Sequence, residues 1–257
     1  MVNGNEREMR SRLVELGSIP VLPSVDGWKK VLIEENGEPL VSLGLFSPYW
    51  DIFTAPIYIG GRKGSPYSYR ELEGSLMTMF VRQEVAQQLR RAESLLPAGM
   101  HLIVFDAYRT LEVQQSLYDN YFNELKELHP AWNNDQLSAQ TQKYVSLPST
   151  DPTRPSPHNT GGSVDVAIYK LPDDVEAEVQ KINMKLIILG NTDRVETERL
   201  QIKRHNLIEK NMELLDFGTK FDHGIYCRAS CILVRIADCI PSHCSFVGFR
   251  AFAAKFA

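Results

Sequence analysis

The chain has 257 residues, 43% of them apolar and 23% charged, with a formal net charge of −4 and a pI near 5.9. This is an ordinary globular composition with ample apolar side chain for a core, and it excludes the basic face of a nucleic-acid binder. The polar, acid-containing start lacks the basic-then-apolar order of a secretory signal, and no run reaches the roughly 18 apolar residues of a membrane span; the expected compartment is therefore the cytoplasm, with no membrane or nucleic-acid partner.

From the N-terminus, residues 29–33 and 40–43 are apolar runs that flank Asn36-Gly37, a hairpin signal. Residues 46–61 are rich in aromatics, Pro and Gly and read as short strands and loops, with Tyr58-Ile59 as a short strand. Val81, Val85, Leu89, Ala92 and Leu96 recur at helical spacing, and Pro97-Ala98-Gly99 ends that helix. Residues 101–105 form a short apolar segment, expected as a buried strand, that leads into Asp106-Ala107-Tyr108-Arg109-Thr110.

Leu117, Tyr121, Leu125 and Leu128 mark a second helix, with Thr110 as its N-cap. Residues 129–157 are polar and Pro-rich and read as a long loop carrying a short helix near 135–144. Loops of that length within a compact domain are often functional. Residues 162–169 alternate, so that Val164, Val166 and Ile168 form an apolar face and Asp165 lies on the opposite face beside small residues. Helical patterns follow at 173–186 and 193–215. Helix, strand and hairpin signals mix without a βαβ rhythm, so the expected class is α+β, with a small antiparallel sheet flanked by helices.

His158 and Asp165 are the candidate chemistry. His158 lies between Pro157 and Gly161-Gly162, and two glycines let the chain turn tightly enough for an imidazole and a carboxylate to converge. A catalytic zinc takes three such protein ligands and keeps water in the fourth place, where the metal makes that water a nucleophile. On the residues alone two readings stay open: a metal pair, or a loop histidine and a capping aspartate. Arg109 is similarly open. It can hold an oxyanion or a substrate carboxylate, or it can form a structural ion pair with Asp106 or a helix acid.

Three ordered segments carry a family resemblance. Ser156-x-His158-x-x-Gly161-x-x-x-Asp165 resembles the Ser-x-His-x-x-Gly-x-Ala-x-Asp signature of the M15 zinc metallopeptidases, with Ser163 at the small-residue position. Asp106-Ala107-Tyr108-Arg109 resembles the Asp-x-Tyr-Arg segment of the D-alanyl-D-alanine dipeptidase branch, and residues 215–222 resemble its Asp-Met-Gly-Thr-x-Phe-Asp segment. The resemblance implies an M15/hedgehog-like fold, one zinc ion held by His158 and Asp165, and Arg109 as transition-state stabiliser. It also implies Ser156 as a group that orients substrate or ligand, and a small D-amino-acid dipeptide as substrate. Residues 172–213 read as an insertion relative to shorter members, within a domain that spans 1–224.

The family pattern breaks at the C-terminus. A Glu-x-x-His segment, which supplies the general base and the third zinc ligand in the family, is not found. Residues 225–257 instead have no Glu, four basic residues against the single acid Asp238, and all four cysteines, Cys227, Cys231, Cys239 and Cys244. A reading-frame change near His223 or Gly224 accounts for such a tail. The Cys spacings fit no strong zinc pattern, and His223 or His243 as a replacement ligand is the weaker reading beside a solvent-facing loop histidine. The expectation is a dipeptidase of reduced activity. The alternatives are a degenerate non-catalytic relative, a murein peptide carboxypeptidase of the same superfamily, or an interaction domain without metal.

Overall fold

The computed structural model describes residues 35–60, 71–190, 192–215 and the backbone of 250–251. The first arm of the expected hairpin (29–33), the segment 216–222, the boundary at 224, His223, His243 and the four cysteines lie outside the described residues.

The elements run β1 (Leu40–Leu43), β2 (Phe53–Thr54), β3 (Met79–Arg82), α1 (Gln83–Leu95), β4 (Met100–Asp106), α2 (Leu111–Leu128) and α3 (Asn134–Thr141). They continue with β5 (Asp165–Lys170), α4 (Asp173–Leu189), α5 (Arg194–Asn211), β6 (Glu213–Leu214) and β7 (Arg250–Ala251). The class is α+β, as the residue patterns imply. The main sheet has the order β2-β4-β5-β6, with β7 also on β5. It is mixed: β4–β5 and β5–β6 are antiparallel, whereas β2 joins β4 and β7 joins β5 in parallel.

β4 and β5 organise the core because both of their faces are covered. On one face, Leu102, Val104, Val166 and Ile168 pack with Ala86, Leu89 and Ala92 of α1 and with Leu43, Met79 and Val81 of the β1–β3 pair. On the other, Ile103, Phe105, Ala167 and Tyr169 pack with Phe53, Val179 of α4 and Ile208 of α5. The alternation expected in 162–169 is therefore real, but its second face is buried as well, and Asp165 shares that face with Ala167 and Tyr169. Truncating a fully buried residue such as Ile168 or Ile103 is worth about 2–5 kcal/mol, because the close-packed surroundings relax only in part.

Several boundaries differ from the residue patterns. Val81 belongs to β3, opposite Val41, and α1 starts only at Gln83, since an apolar residue can satisfy a strand or a helix face equally well. Tyr58-Ile59 is not a strand. The short strand is Phe53–Thr54, and after Ala55 donates to the Val104 carbonyl at 2.8 Å, Pro56 has no N–H with which to continue the ladder. Leu128 is 65% exposed rather than part of the helix core. The last helix stops at Asn211, and Glu213–Leu214 pairs with β5.

Other local signals act as read. Thr110 caps α2 by accepting from the Val113 N–H at 3.2 Å. The short helix expected near 135–144 is α3, inside the long polar loop, and the structure adds a capping box of Asn133 and Gln136 that the residue patterns do not mark.

Candidate metal centre

The centre forms where β4 ends and β5 begins. A bulge between Val104 and Asp106 sets Asp106 opposite Asp165 in the register. Bulges re-aim side chains at strand ends, and here two carboxylates come to one edge of the sheet.

His158 arrives on a single turn of 3-10 helix, Pro157–Thr160, which closes on Gly161 in the left-handed conformation (φ 71°). A Cβ at Gly161 would lie 2.4 Å from Leu40 Cδ2, so both the backbone and the space select glycine. Hydrogen bonds stitch this turn to its neighbours. Arg82 donates from its backbone to the Gly161 carbonyl (2.9 Å) and from Nε to the Thr160 carbonyl (2.7 Å). The Arg109 N–H donates to the His158 carbonyl (3.0 Å), and Asn159 Nδ2 donates to the Arg109 carbonyl.

The His158 ring has a defined role for each nitrogen. Nδ1 donates to the Ala107 carbonyl at 2.9 Å, with Asp106 Oδ2 3.3 Å away. That bond commits Nδ1 and leaves Nε2, 3.6 Å from Asp165 Oδ1, as the nitrogen open to a metal ion. Two ligands of one tetrahedral zinc, each ~2.0–2.2 Å from the ion, stand about 3.3 Å apart. The pair therefore fits a shared ion, and both side chains are largely shielded from solvent, at 13% and 11% exposed.

Asp106, His158 and Asp165 together bring a ligand atom each within 4.8 Å of one another. Asp106 is nevertheless already occupied. Its Oδ2 takes Nε and Nη2 of Arg109 and the Tyr58 hydroxyl (3.1 Å), and its Oδ1 takes the Ala107 N–H (2.9 Å). Burial alone would push its carboxyl up, but the charges of Arg109 and His158 and the bonds from Arg109 and Tyr58 outweigh that and hold it below the ordinary carboxylate range. Asp106 thus sits on the Nδ1 side of the ring as a holder of His158 and Arg109, and the residue patterns had marked it only as an ion-pair partner.

Arg109 is buried in this network. It makes the ion pair with Asp106, donates from Nη1 to Gln114 Oε1 (2.9 Å), and donates from Nη2 to the Tyr58 hydroxyl (2.8 Å). Burial works against its charge, but Asp106, Tyr58 and Asp165 more than compensate and raise its pKa further. With two bonds to Asp106, four of its five N–H groups are committed and one on Nη1 is left. The structural ion pair considered for Arg109 is therefore present. Tyr58 and Gln114 were not legible as site residues, because they lie 51 and 5 positions away and carry no local motif.

Ser156 is buried just ahead of the turn, its carbonyl accepting the Asn159 N–H (2.9 Å) while its hydroxyl does not cap the turn. Asn159 Oδ1 is a buried acceptor with no donor among the described residues. Beside Arg109 there is room for about one water, a cavity of about 30 Å³.

The chain is 25% identical over 210 residues to a curated D-alanyl-D-alanine dipeptidase of Synechocystis sp., a stretch that covers 72% of this chain and 79% of that protein. No family model and no solved structure matches the chain. The distant likeness runs in the same direction as the M15 resemblance of the motifs and supports a peptidase type of hydrolase. No helix among the described residues is long and apolar enough to cross a membrane.

Proposed function

We propose that this chain binds one zinc ion through His158 Nε2 and Asp165 and acts, at a reduced rate, as a cytoplasmic dipeptidase on D-Ala-D-Ala. The observation that carries this reading is the 3.6 Å approach of Nε2 to Asp165 Oδ1 with Nδ1 tied back to the Ala107 carbonyl. A ligand histidine whose second nitrogen is held by the backbone is the usual arrangement in metal sites.

When bound, such an ion supplies a polarised water as nucleophile. The chain's own residues divide the remaining work. Ala107 and Asp106 hold the Nδ1 side of the imidazole. Asp165 offers its carboxylate from a buried strand end, where the packed sheet resists displacement. Arg109 presents one remaining N–H, sufficient for one bond to a developing oxyanion or to a substrate carboxylate. Ser156 stands next to the turn as a group to orient substrate.

The other carboxylate at this centre, Asp106, is committed to Arg109 and Tyr58, no Glu joins the group among the described residues, and no Glu-x-x-His follows Asp222 in the sequence. General acid–base help is typically worth ~10²–10⁴-fold. The full chain is therefore expected to hydrolyse D-Ala-D-Ala at least about a hundredfold more slowly than the Synechocystis dipeptidase under zinc saturation. Equal rates would overturn the reduced-activity reading. Zinc binding by calorimetry tests the metal reading separately: His158→Ala should abolish it, and unchanged affinity would exclude the pair as ligands.

The commitment of Arg109 to Asp106, Tyr58 and Gln114 favours one second reading, a metal-binding relative without catalysis. Zinc binding together with no hydrolysis of D-Ala-D-Ala or of murein tetrapeptides would select it.

A further inference from the structure

The opposite ends of β4 and β5 hold a second and larger cavity, about 300 Å³, walled by α1, α4, α5 and the loop at 51–52. Asp165 and Tyr169 begin and nearly end the same strand, about 13 Å apart at ordinary strand rise, so this cavity is separate from the His158 centre. Its size is at the small end of the range for ligand sites.

Two of its lining groups are buried with unused bonding capacity. Arg204 is 7% exposed. It donates from Nε to Asn183 Oδ1 (2.8 Å), from Nη1 to the Trp50 carbonyl (3.2 Å) and from Nη2 to the Asp51 carbonyl (2.9 Å). All three acceptors are neutral. Two of the five N–H groups, and the charge itself, have no direct carboxylate partner among the described residues. Burial accordingly pulls the Arg204 pKa down, the mark of a charge that its surroundings do not fully compensate. Tyr169 is 2% exposed and its hydroxyl has no hydrogen bond among the described residues, and burial pushes that phenol up.

The other charges of the wall are already spoken for. Arg90 pairs with Asp51 (Nη2–Oδ1 2.5 Å). His101 lies between Glu93 (Nδ1, 2.8 Å) and Glu176 (Nε2, 2.8 Å). With two carboxylates about one imidazole, this group of three carries a net negative charge whether or not the ring is protonated. The cavity thus presents a cation that its surroundings, including the Trp50 ring and the charges of Asp51, Glu93 and Glu176, compensate only in part, and, at Glu93 and His101, a group of net negative charge. A polyanion such as a phosphate would meet Glu93 and Asp51, whereas a small zwitterion matches both ends.

We propose that this cavity is a binding site for a free amino acid of small side chain, with its carboxylate on Arg204 and the Tyr169 hydroxyl and its ammonium toward the Glu93–His101–Glu176 group. The site is independent of the zinc reading, since neither His158 nor Asp165 lines it.

Calorimetric titration of the full chain with alanine, each enantiomer separately, and with alaninamide tests this. At least one enantiomer is expected to bind saturably at one equivalent, and alaninamide, which lacks the carboxylate, at least about tenfold more weakly. Tyr169→Phe removes only the hydroxyl and should weaken binding about fivefold. Gln180→Trp, at an exposed position on the rim, should plug the cavity and abolish binding. Absence of saturable binding by both enantiomers overturns the proposal, as does equal affinity for alaninamide. The comparison of alanine with alaninamide needs no variant, so a folding defect in either variant leaves the test intact.

Discussion

Asp106 does three jobs with one carboxylate: it neutralises buried Arg109, accepts from Tyr58 and stands behind the His158 ring. Removing one partner of a buried ion pair strands the other charge. Asp106→Asn is therefore expected to lower stability by on the order of 3 kcal/mol, read by urea unfolding. Through His158 it should also weaken zinc binding about 10–100-fold; a loss of stability with zinc affinity unchanged would confine Asp106 to a structural role. His101 supplies a pH dependence. Burial disfavours its charged form, but Glu93 and Glu176 outweigh burial and raise its pKa above the ordinary value. A raised folded-state pKa stabilises the fold fully below the unfolded value, near 6.5, and that contribution is lost as pH rises through the folded value. The melting temperature is expected to fall from pH 6 toward alkaline pH, and His101→Gln should flatten the profile; an equally steep profile in the variant would remove His101 as the cause.

At the scale of elements, the turn Pro157–Thr160 matters more than its length suggests, because hydrogen bonds from neighbouring segments hold it and His158 in place. The left-handed Gly161 closes the turn against Leu40 of β1, and Arg82 at the end of β3 grips it from backbone and side chain. Gly161→Ala is expected to cost about 1–2 kcal/mol from the positive φ alone and to weaken zinc binding by shifting His158. Wild-type stability and affinity together would show that the turn tolerates a Cβ. The helical segment 172–213, read as an insertion, covers one face of the sheet with Val179 and Ile208 and carries Arg204 and Asn183 to the second cavity. It supplies both core and chemistry.

For the whole molecule, zinc and fold are coupled if the pair binds as proposed. A ligand present at a hundred times its dissociation constant stabilises by about 2.7 kcal/mol, or roughly 5–10 °C in a chain of this size. Chelator-treated protein is expected to melt lower by that order and to recover with zinc but not magnesium, since a nitrogen ligand suits zinc and poorly suits a hard cation. An unchanged melting temperature on zinc addition would argue against a metal centre in the folded chain.

The sequence by itself determined what local chemistry controls. Thr110 declares its cap, residues 101–105 declare a buried strand, and Ser156 to Asp165 declares a histidine and a carboxylate set about a glycine turn. These signals need only near neighbours. The tertiary structure decided what depends on distant partners. Val81 became a strand because Val41 lies opposite it, and Ala167 and Tyr169, on the strand face of Asp165, became buried because α4 and α5 close over them. Arg109 became a buried, nearly saturated guanidinium because Tyr58 and Gln114 meet it from other elements. Arg204 and Tyr169 came to one cavity from residues 35 positions apart, a juxtaposition that only the packing of α5 on the sheet creates.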